Sequence, residues 1–195
     1  MNLNGKRLIL ASNSPRRQEL LKGLDVDFVI DTQNNFEEHF SDGTPHSEVP
    51  ALMSRGKSHG FHRPLEADEI LITSDTMVLL GGRILGKPHS AEEAVQMLHT
   101  LSGQTHEVIT AVTLRDGLGH EETFTDSTLV TFAELGEDEI DYYINKYKPY
   151  DKAGAYGVQE WIGYVAITRL EGSFYNVMGF PVHKVYGHLL KFAKY

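Results

Sequence analysis

The sequence predicts a mixed α/β domain with a substantial twisted sheet. Segments with the apolar spacing of helices alternate along the chain with segments of strand type. Two long stretches in the second half are rich in β-branched residues and alternate in polarity, as half-buried strands do. The 195 residues contain no repeat, low-complexity tract or linker, so we expect a single domain that covers residues 1–195.

The first third of the chain is predicted to hold two strands and two helices. Ser14 and Pro15 are typical of a helix start, and Gly23 is typical of a helix end. The predicted elements are a strand at Arg7–Ala11, a helix at Pro15–Lys22, a short strand at Asp27–Ile30, an irregular acidic segment at Asp31–His46 and a helix at Glu48–His59.

The remaining elements follow from the same signals. Ile70–Thr73 is a continuous apolar run of the buried-strand type that leads directly into Ser74–Leu80. Ser90 opens a capping box, which predicts an amphipathic helix that ends at Gly103. The others are a hairpin through Gly81-Gly82 into Arg83–Leu85, strands at Glu107–Arg115, Glu122–Phe132 and Tyr164–Leu170, and helices at Glu137–Tyr147 and Pro181–Lys194.

The composition excludes several classes of protein. The chain has no cysteine, so it has no disulfide framework and no thiol nucleophile, and we expect a cytoplasmic location. We find no signal peptide and no apolar run long enough to span a membrane. A net charge of −9 argues against binding to a nucleic-acid backbone, while a small anionic substrate stays compatible with a local basic pocket.

The start of the first helix carries an unusual pair of cations. Arg16 and Arg17 lie in the first turn, where the helix dipole already presents positive charge and repels them. An anion bound there would resolve the conflict, because backbone N–H groups and two guanidinium groups would converge on one phosphate-like group. The alternative is that both arginines point into solvent and pair with surface carboxylates.

The sharpest acidic candidate is Asp75, which follows the apolar run between Ser74 and Thr76. We expect it at a strand end, where a sheet opens to a crevice and a carboxylate serves as a metal ligand or general base. The alternative is an aspartate that caps a local turn. Lys57, on a predicted helix, and Lys87, between Gly86 and Pro88, are each compatible with a solvated surface lysine when taken alone.

Two irregular segments are further candidates. Glu37 and Glu38 lie in the acidic segment, and one or two carboxylates together with substrate phosphates suit a magnesium-type ion. The segment Asp151–Gln159 surrounds a tyrosine with small residues, which permit a close approach of backbone to ligand. Gln159 carries both a donor and an acceptor and is able to read the edge of a base. A solvated loop and a tightly packed glycine loop are the respective alternatives.

A series of short motifs, each present once, extends over almost the whole chain. They are Ser12–Arg17, Glu37-Glu38, Lys57, Ser74-Asp75-Thr76, Gly86-Lys87-Pro88, Leu101-Ser102-Gly103, Asp151–Gln159 and Ser173–Pro181. Together they resemble the Maf family of nucleoside triphosphate pyrophosphatases. The resemblance implies an inosine-triphosphatase-like α/β fold, an elongated mixed sheet flanked by helices with a central cleft.

The resemblance also implies an activity and a set of residue roles. The expected reaction is hydrolysis of a nucleoside triphosphate to the monophosphate and pyrophosphate with a divalent cation, Mg²⁺ or Mn²⁺. Asp75 matches the proposed proton acceptor of the family. Arg16, Thr76 and Gln159 match positions associated with the subgroup that acts on dTTP and UTP. That subgroup is thought to clear modified pyrimidine nucleotides. The resemblance further favours a homodimer.

The sequence departs from the family pattern at two positions. Ser74 stands where the family often has alanine, which is a small change. Glu160 stands where the subgroup often has glycine after the glutamine, and an acidic side chain beside a base pocket would alter which nucleotide fits.

These observations combine into one hypothesis for the site. Ser12, Arg16, Arg17, Lys57 and Lys87 bind the triphosphate and neutralise the departing pyrophosphate. Glu38 and Asp75 hold the metal ion, and Asp75 also takes the proton from the attacking water. Thr76 and Gln159 contact the base. A nucleotide-binding regulator of cell division without catalysis and a phosphatase on other phosphoesters are the rival hypotheses.

Overall fold

A computed structural model describes residues 1–194 and shows a mixed α/β protein, as the sequence predicts. The strands are β1 (Arg7–Leu10), β2 (Phe28–Ile30), β3 (Glu69–Leu80), β4 (Arg83–Leu85), β5 (Thr105–Asp116), β6 (Glu121–Phe132) and β7 (Ile167–Glu171). The helices are α1 (Pro15–Lys22), α2 (Val49–His59), α3 (Ala91–Leu101), α4 (Glu137–Tyr147), α5 (Trp161–Ala166), α6 (Phe174–Val177) and α7 (Val182–Phe192).

The chain divides into two compact units. The first comprises Met1–Asp75, Thr110–Asp126 and Gly179–Tyr195, of which residues up to 194 are described, and the second comprises Thr76–Ile109 and Ser127–Met178. The strands form a seven-stranded sheet in the order β2-β1-β3-β5-β6-β7, with β4 paired to β3. β1 runs parallel to both β2 and β3, whereas β4 is antiparallel to β3 and β7 is antiparallel to β6. The sheet is therefore mixed.

The first unit buries the apolar residues of its central strands. Leu8 and Leu10 of β1 and Ile70 and Ile72 of β3 are at most 1 % exposed. Apolar surface of this kind stabilises a fold by about 25 cal/mol for each Å² removed from water. The rigid strands position the residues that follow β1 and the residues in the middle of β3.

The structure corrects the predicted position of Asp75. It is not at a strand end, because β3 continues without interruption from Glu69 to Leu80. The antiparallel pairing of Val78–Leu80 with β4 holds this later part of β3 extended. The register with β1 nevertheless stops at Ile72, so Asp75 lies beyond the last β1 residue with which β3 pairs.

The predicted strand at Tyr164–Leu170 is wrong in its first part. Residues from Trp161 to Ala166 form α5, and β7 begins only at Ile167. Short apolar runs do not distinguish a helix from a strand by their pattern alone. Close packing fixes the helical turn, since a Cβ on Gly163 would lie 1.8 Å from the backbone oxygen of Val158. The short helix α6, which the Ser173 hydroxyl caps through the Asn176 N–H at 3.3 Å, was not predicted.

The second unit contains a buried histidine that was not predicted from the sequence. His106 is 1 % exposed, and its Nε2 lies 2.7 Å from the Tyr156 hydroxyl. The His106 ring also makes edge-to-face contacts with Phe132 and Tyr156. Burial lowers the pKa of His106 from 6.5 to about 4. The ring is therefore neutral in the folded protein at neutral pH.

We expect His106 to weaken the fold in mild acid. In the unfolded chain the His106 ring takes up a proton near pH 6.5, whereas in the folded protein it does so only near pH 4. The free energy of unfolding is therefore highest above pH 6.5 and decreases as the pH falls from 6.5 to 4. At pH 5 the loss is about 2 kcal/mol. Urea unfolding at pH 7.5 and pH 5 measures it, and His106→Asn should show a correspondingly smaller difference between the two conditions. An equal difference in the variant would contradict this assignment.

No helix within residues 1–194 is both long enough and apolar enough to cross a membrane.

Candidate functional site

The first predicted site motif forms the turn that leads into α1. The Ser14 hydroxyl accepts the Arg17 N–H at 3.5 Å, and the Ser12 hydroxyl accepts the Ser14 N–H at 3.2 Å. The side-chain amide of Gln18 reaches back to the Ser12 carbonyl oxygen at 3.1 Å. Ser14 is thus the N-cap that the sequence predicts. Ser12 is buried and holds the preceding loop against the helix start.

Arg17 joins three segments of the first unit through its guanidinium group. Its Nε donates to the Gly179 carbonyl oxygen at 2.9 Å, and its Nη1 donates to the Ser74 carbonyl oxygen at 3.0 Å. The same Nη1 lies 3.4 Å from the Ser12 hydroxyl oxygen. Desolvation lowers the pKa of Arg17, but an arginine stays charged in a protein. Arg17 therefore fixes the main chain directly before Asp75.

Arg16 is half-buried in the same helix turn. Desolvation is the main cause that lowers the pKa of Arg17, and the charge of Arg16 lowers it further. The two guanidinium groups therefore repel each other, as the sequence indicates. The nearby charges of Asp75 and Glu38 act in the opposite direction and favour the charged form of Arg17. The helix start thus combines concentrated positive charge with two carboxylates of the same unit.

Lys57 brings two of the predicted acidic residues together. Its Nζ lies 2.6 Å from Oδ1 of Asp75 and 2.8 Å from Oε1 of Glu38. The Asp75 and Lys57 side chains are 16 % and 22 % exposed, whereas Glu38 is 60 % exposed. One ammonium group therefore bridges a shielded carboxylate on β3 and a more accessible one on the acidic loop.

Reciprocal hydrogen bonds hold α2 and β3 in register at this point. The Thr73 hydroxyl donates to the Ser54 carbonyl oxygen at 2.7 Å, and the Ser54 hydroxyl donates to the Thr73 carbonyl oxygen at 3.2 Å. Both residues are fully buried. Because Ser54 precedes Lys57 by one helical turn and Thr73 precedes Asp75 by two strand residues, the pair sets the distance between the ammonium group and the carboxylate. These two residues were not predicted as site residues from the sequence.

A second set of contacts fixes the acidic loop to α2. The Asn34 side chain donates to the Lys57 carbonyl oxygen at 2.6 Å and accepts the Phe36 N–H at 2.8 Å. The ring of Phe36 lies over Gly56, where a Cβ would come within 2.2 Å of it. Gly56 therefore permits the close approach that places Glu38 near Lys57. A glycine inside a predicted helix is the only sequence signal that could have indicated this contact.

The other predicted site residues, Thr76, Lys87 and Gln159, belong to the second unit. The loop at residues 151–160 is anchored there by the Gly154 N–H, which donates to the Gly86 carbonyl oxygen at 3.0 Å. Gly154 has φ +71°, and a Cβ at this position would also lie 3.3 Å from Val78. Its packing thus ties the loop to the strand that carries Thr76 and to the residue before Lys87.

Gln159 presents an unused acceptor. Its Oε1 is buried and has no hydrogen-bond partner within residues 1–194. A buried polar atom without a partner is unfavourable by about 1–3 kcal/mol, which native proteins tolerate mainly where a ligand or water completes the bond. The atom is therefore suited to a ligand that offers an N–H or O–H donor.

The donor set in the first unit fits a magnesium-type ion in part. Two carboxylates, Glu38 and Asp75, already reach one ammonium group, and hard oxygen ligands are those that Mg²⁺ and Mn²⁺ prefer. No cluster of three or more acidic, histidine or cysteine side chains arranged for metal binding occurs within residues 1–194. This pattern suits an ion that takes one or two protein carboxylates and completes its shell with substrate phosphates and water.

Comparisons with known proteins agree with the motif order. A family model described as Maf-like protein matches residues 7–192. A protein of Porphyromonas gingivalis strain W83 named dTTP/UTP pyrophosphatase is 48 % identical over 195 residues, which cover 99 % of this chain and 98 % of that protein. A protein of the same name from Bacteroides thetaiotaomicron is 48 % identical over 97 % of this chain and 98 % of its own length.

Solved structures show more distant similarity. A HAM1 protein from Coxiella burnetii aligns with a TM-score of 0.49 at 13 % identity, covering 95 % of this chain and 99 % of that one. The Staphylococcus aureus Ham1 protein aligns with a TM-score of 0.48 at 14 % identity, covering 94 % and 100 %. The family match over nearly the whole chain and the relatives at almost half identity establish the family: the chain belongs to the Maf-like proteins.

Proposed function

We propose that this protein hydrolyses nucleoside triphosphates, with dTTP and UTP favoured, to the monophosphate and pyrophosphate. The observation that carries the proposal is the hydrogen bond from Lys57 Nζ to Asp75 Oδ1 at 2.6 Å. Arg17 holds the main chain beside it, through a hydrogen bond to the Ser74 carbonyl oxygen. The name dTTP/UTP pyrophosphatase, shared by relatives that match 97–99 % of the chain, supports the choice of substrate.

In this proposal Asp75 acts as the general base. Its carboxylate takes a proton from a water molecule whose oxygen attacks the α-phosphorus, the bond between the α-phosphorus and its bridging oxygen breaks, and pyrophosphate leaves. Lys57 orients the carboxylate through its hydrogen bond to Oδ1. Negative charge grows on the leaving pyrophosphate, and Arg16, Arg17, Lys57 and Lys87 are the cations assigned to stabilise it, with Ser12 as a further phosphate ligand.

A divalent cation, Mg²⁺ or Mn²⁺, is the proposed cofactor, and Glu38 and Asp75 are its proposed ligands. When bound, such an ion neutralises phosphate oxygens. The Glu38 side chain is 60 % exposed on the acidic loop, so an ion that arrives with the nucleotide reaches its carboxylate from solvent.

Base selection is assigned to Gln159 and Thr76. The Oε1 atom of Gln159 is a buried hydrogen-bond acceptor that has no protein partner within residues 1–194. Thymine and uracil offer an N–H donor at ring position 3, whereas cytosine has an acceptor there. A site built around an unpaired acceptor therefore favours the two bases that carry the donor, because the wrong base leaves the buried oxygen unsatisfied.

Product analysis tests the proposal. The purified protein is incubated with Mg²⁺ or Mn²⁺ and a panel of standard and modified nucleoside triphosphates. We expect monophosphate and pyrophosphate, with the highest kcat/KM on dTTP and UTP. The same products from a purine nucleotide would retain the chemistry and reject the assignment of Gln159. Release of orthophosphate would favour a phosphatase, and nucleotide binding without turnover would favour a regulatory protein.

Replacing Glu38 tests the proposed metal ligand. Glu38→Gln should raise the metal concentration for half-maximal activity by at least about tenfold, with kcat recovering at high metal, because the carboxylate charge that attracts the ion is lost. A titration of activity against Mg²⁺ concentration measures the effect. Its matched control is Glu37→Gln, an exposed neighbour on the same loop, which should leave the titration unchanged. Equal behaviour of the two variants would remove Glu38 from this role.

The proposal extends to a cytoplasmic homodimer that clears modified pyrimidine nucleotides from the nucleotide pool. The dimer and the clearing role rest on the family resemblance, and the location rests on the absence of cysteine. Light scattering of the purified protein measures the oligomeric state. A monomer at micromolar concentration would contradict that part of the proposal.

A further inference from the structure

Glu160 is one of the two positions at which the chain departs from the family pattern, and its carboxylate is bound within the second unit. One oxygen, Oε2, accepts the hydrogen bond of the Tyr143 hydroxyl, and the other, Oε1, lies 3.2 Å from Nζ of Lys152. The Glu160 side chain is 19 % exposed and that of Lys152 is 9 % exposed. The Glu160 carboxylate is therefore shielded from solvent and bound by two partners within the second unit.

The Tyr143 hydroxyl relays this contact to the loop backbone. It lies on α4, is fully buried, and accepts the Gly157 N–H at 3.0 Å while donating to Glu160. Burial and the adjacent carboxylate raise the pKa of Tyr143 far above its usual value, so the hydroxyl keeps its proton and remains a donor. One hydroxyl thus connects the main chain two residues before Gln159 with the side chain directly after it.

The ion pair closes the loop from the other side. Lys152 and Glu160 lie at the two ends of the segment that contains Gln159, and Lys152 also contacts Asp151 at 2.8 Å. Gly157 leaves room for the carboxylate, since a Cβ there would lie 2.8 Å from Cδ of Glu160. The loop is therefore shaped around the Glu160 carboxylate.

We propose that Glu160 is a positioning residue for base selection, which acts by holding the loop that aims the unpaired Oε1 of Gln159 at the ring N–H of thymine or uracil. This inference rests on the proposed function. In this inference Glu160, Tyr143 and Lys152 together restrain the loop on both sides of Gln159. None of the three needs to touch the nucleotide, so they affect the choice of base more than the chemical step.

The test compares dTTP with dCTP. Glu160→Ala should lower the ratio of kcat/KM for dTTP to that for dCTP by about tenfold, because a hydrogen bond to a misplaced amide loses that factor. Most of the change should lie in KM for dTTP, with kcat altered less than about threefold. Glu160→Gln keeps an acceptor for Tyr143 but places an amide beside Lys152, so its ratio should be intermediate. Glu134→Ala, an exposed control in the same unit, should retain the wild-type ratio.

A second readout separates this inference from the proposed function. Calorimetric titration with dTMP and dCMP reports base discrimination without turnover. Glu160→Ala should lower the ratio of the affinity for dTMP to the affinity for dCMP by about tenfold as well. A folded Glu160→Ala variant with the wild-type ratio, or with equal losses for both nucleotides, would overturn the inference alone. Absence of turnover in the wild-type protein together with retained discrimination would overturn the hydrolysis instead. Wild-type protein that binds neither nucleotide would overturn both.

Discussion

Asp75→Asn is expected to lower kcat by about 100-fold or more, the usual contribution of general base catalysis. The amide that replaces the carboxylate has nearly the same shape but does not accept a proton from water. It also contributes no charge to hold Lys57, which lies 2.6 Å from the carboxylate oxygen. Initial rates of pyrophosphate release from dTTP and UTP at saturating nucleotide and metal measure the loss.

The fold should survive this change. Asp75 occupies the middle of β3, its side chain lies among polar groups, and Lys57 keeps its contact with Glu38. Thermal unfolding of the variant therefore serves as the check on structure, and Asp42→Asn, an exposed aspartate of the same unit, is the matched control for activity. A folded Asp75→Asn variant with near-normal kcat would remove Asp75 from the role of general base.

Arg17→Met is expected to have the second-largest effect, on both stability and turnover. The methionine fills much of the arginine volume but removes the hydrogen bonds that Arg17 donates to the carbonyl oxygens of Ser74 and Gly179. Loss of two hydrogen bonds from a charged donor destabilises a protein by about 2–4 kcal/mol for the pair. The released main chain directly precedes Asp75, and a displacement of about 1 Å at a reacting group lowers the rate on the order of 100-fold.

Urea unfolding and steady-state kinetics separate the two effects. Arg55→Met, an exposed arginine of α2, is the control and should change neither measurement appreciably. Arg17→Lys retains the charge but not the planar set of donors, so it should recover little of the stability. Full recovery of turnover by the lysine variant would show that the charge, rather than the restraint of the main chain, is what the site requires.

The sequence was sufficient wherever local chemistry decides the structure. Ser14 and Pro15 begin α1, and Ser90 begins α3 by accepting the Glu93 N–H at 3.2 Å, as the pattern predicts. Long strands such as β6 were evident from their alternation. The motif order also placed Lys57, Asp75 and Glu38 in one site, and the structure brings these three side chains together.

Long-range packing accounts for what the sequence did not predict. The extended course of β3 beyond Asp75 is supported by pairing of Val78–Leu80 with β4, and the close approach of Phe36 to Gly56 depends on how the acidic loop lies over α2. The burial of His106 likewise depends on the assembled fold, since histidine occurs both in the interior and at the surface of proteins. Glu160 illustrates the same point, because its partner Tyr143 lies on α4, 17 residues earlier in the chain.

Hydrolysis of dTTP in water enriched in ¹⁸O tests the central claim most directly. Attack of water on the α-phosphorus, with Asp75 as the base, puts the label in the phosphate group of dTMP and leaves pyrophosphate unlabelled. Mass spectrometry of the two products distinguishes the positions after a single turnover. Label in the pyrophosphate, or orthophosphate as the released product, would contradict the proposed attack at the α-phosphorus and with it the assignment of Asp75 and its neighbours.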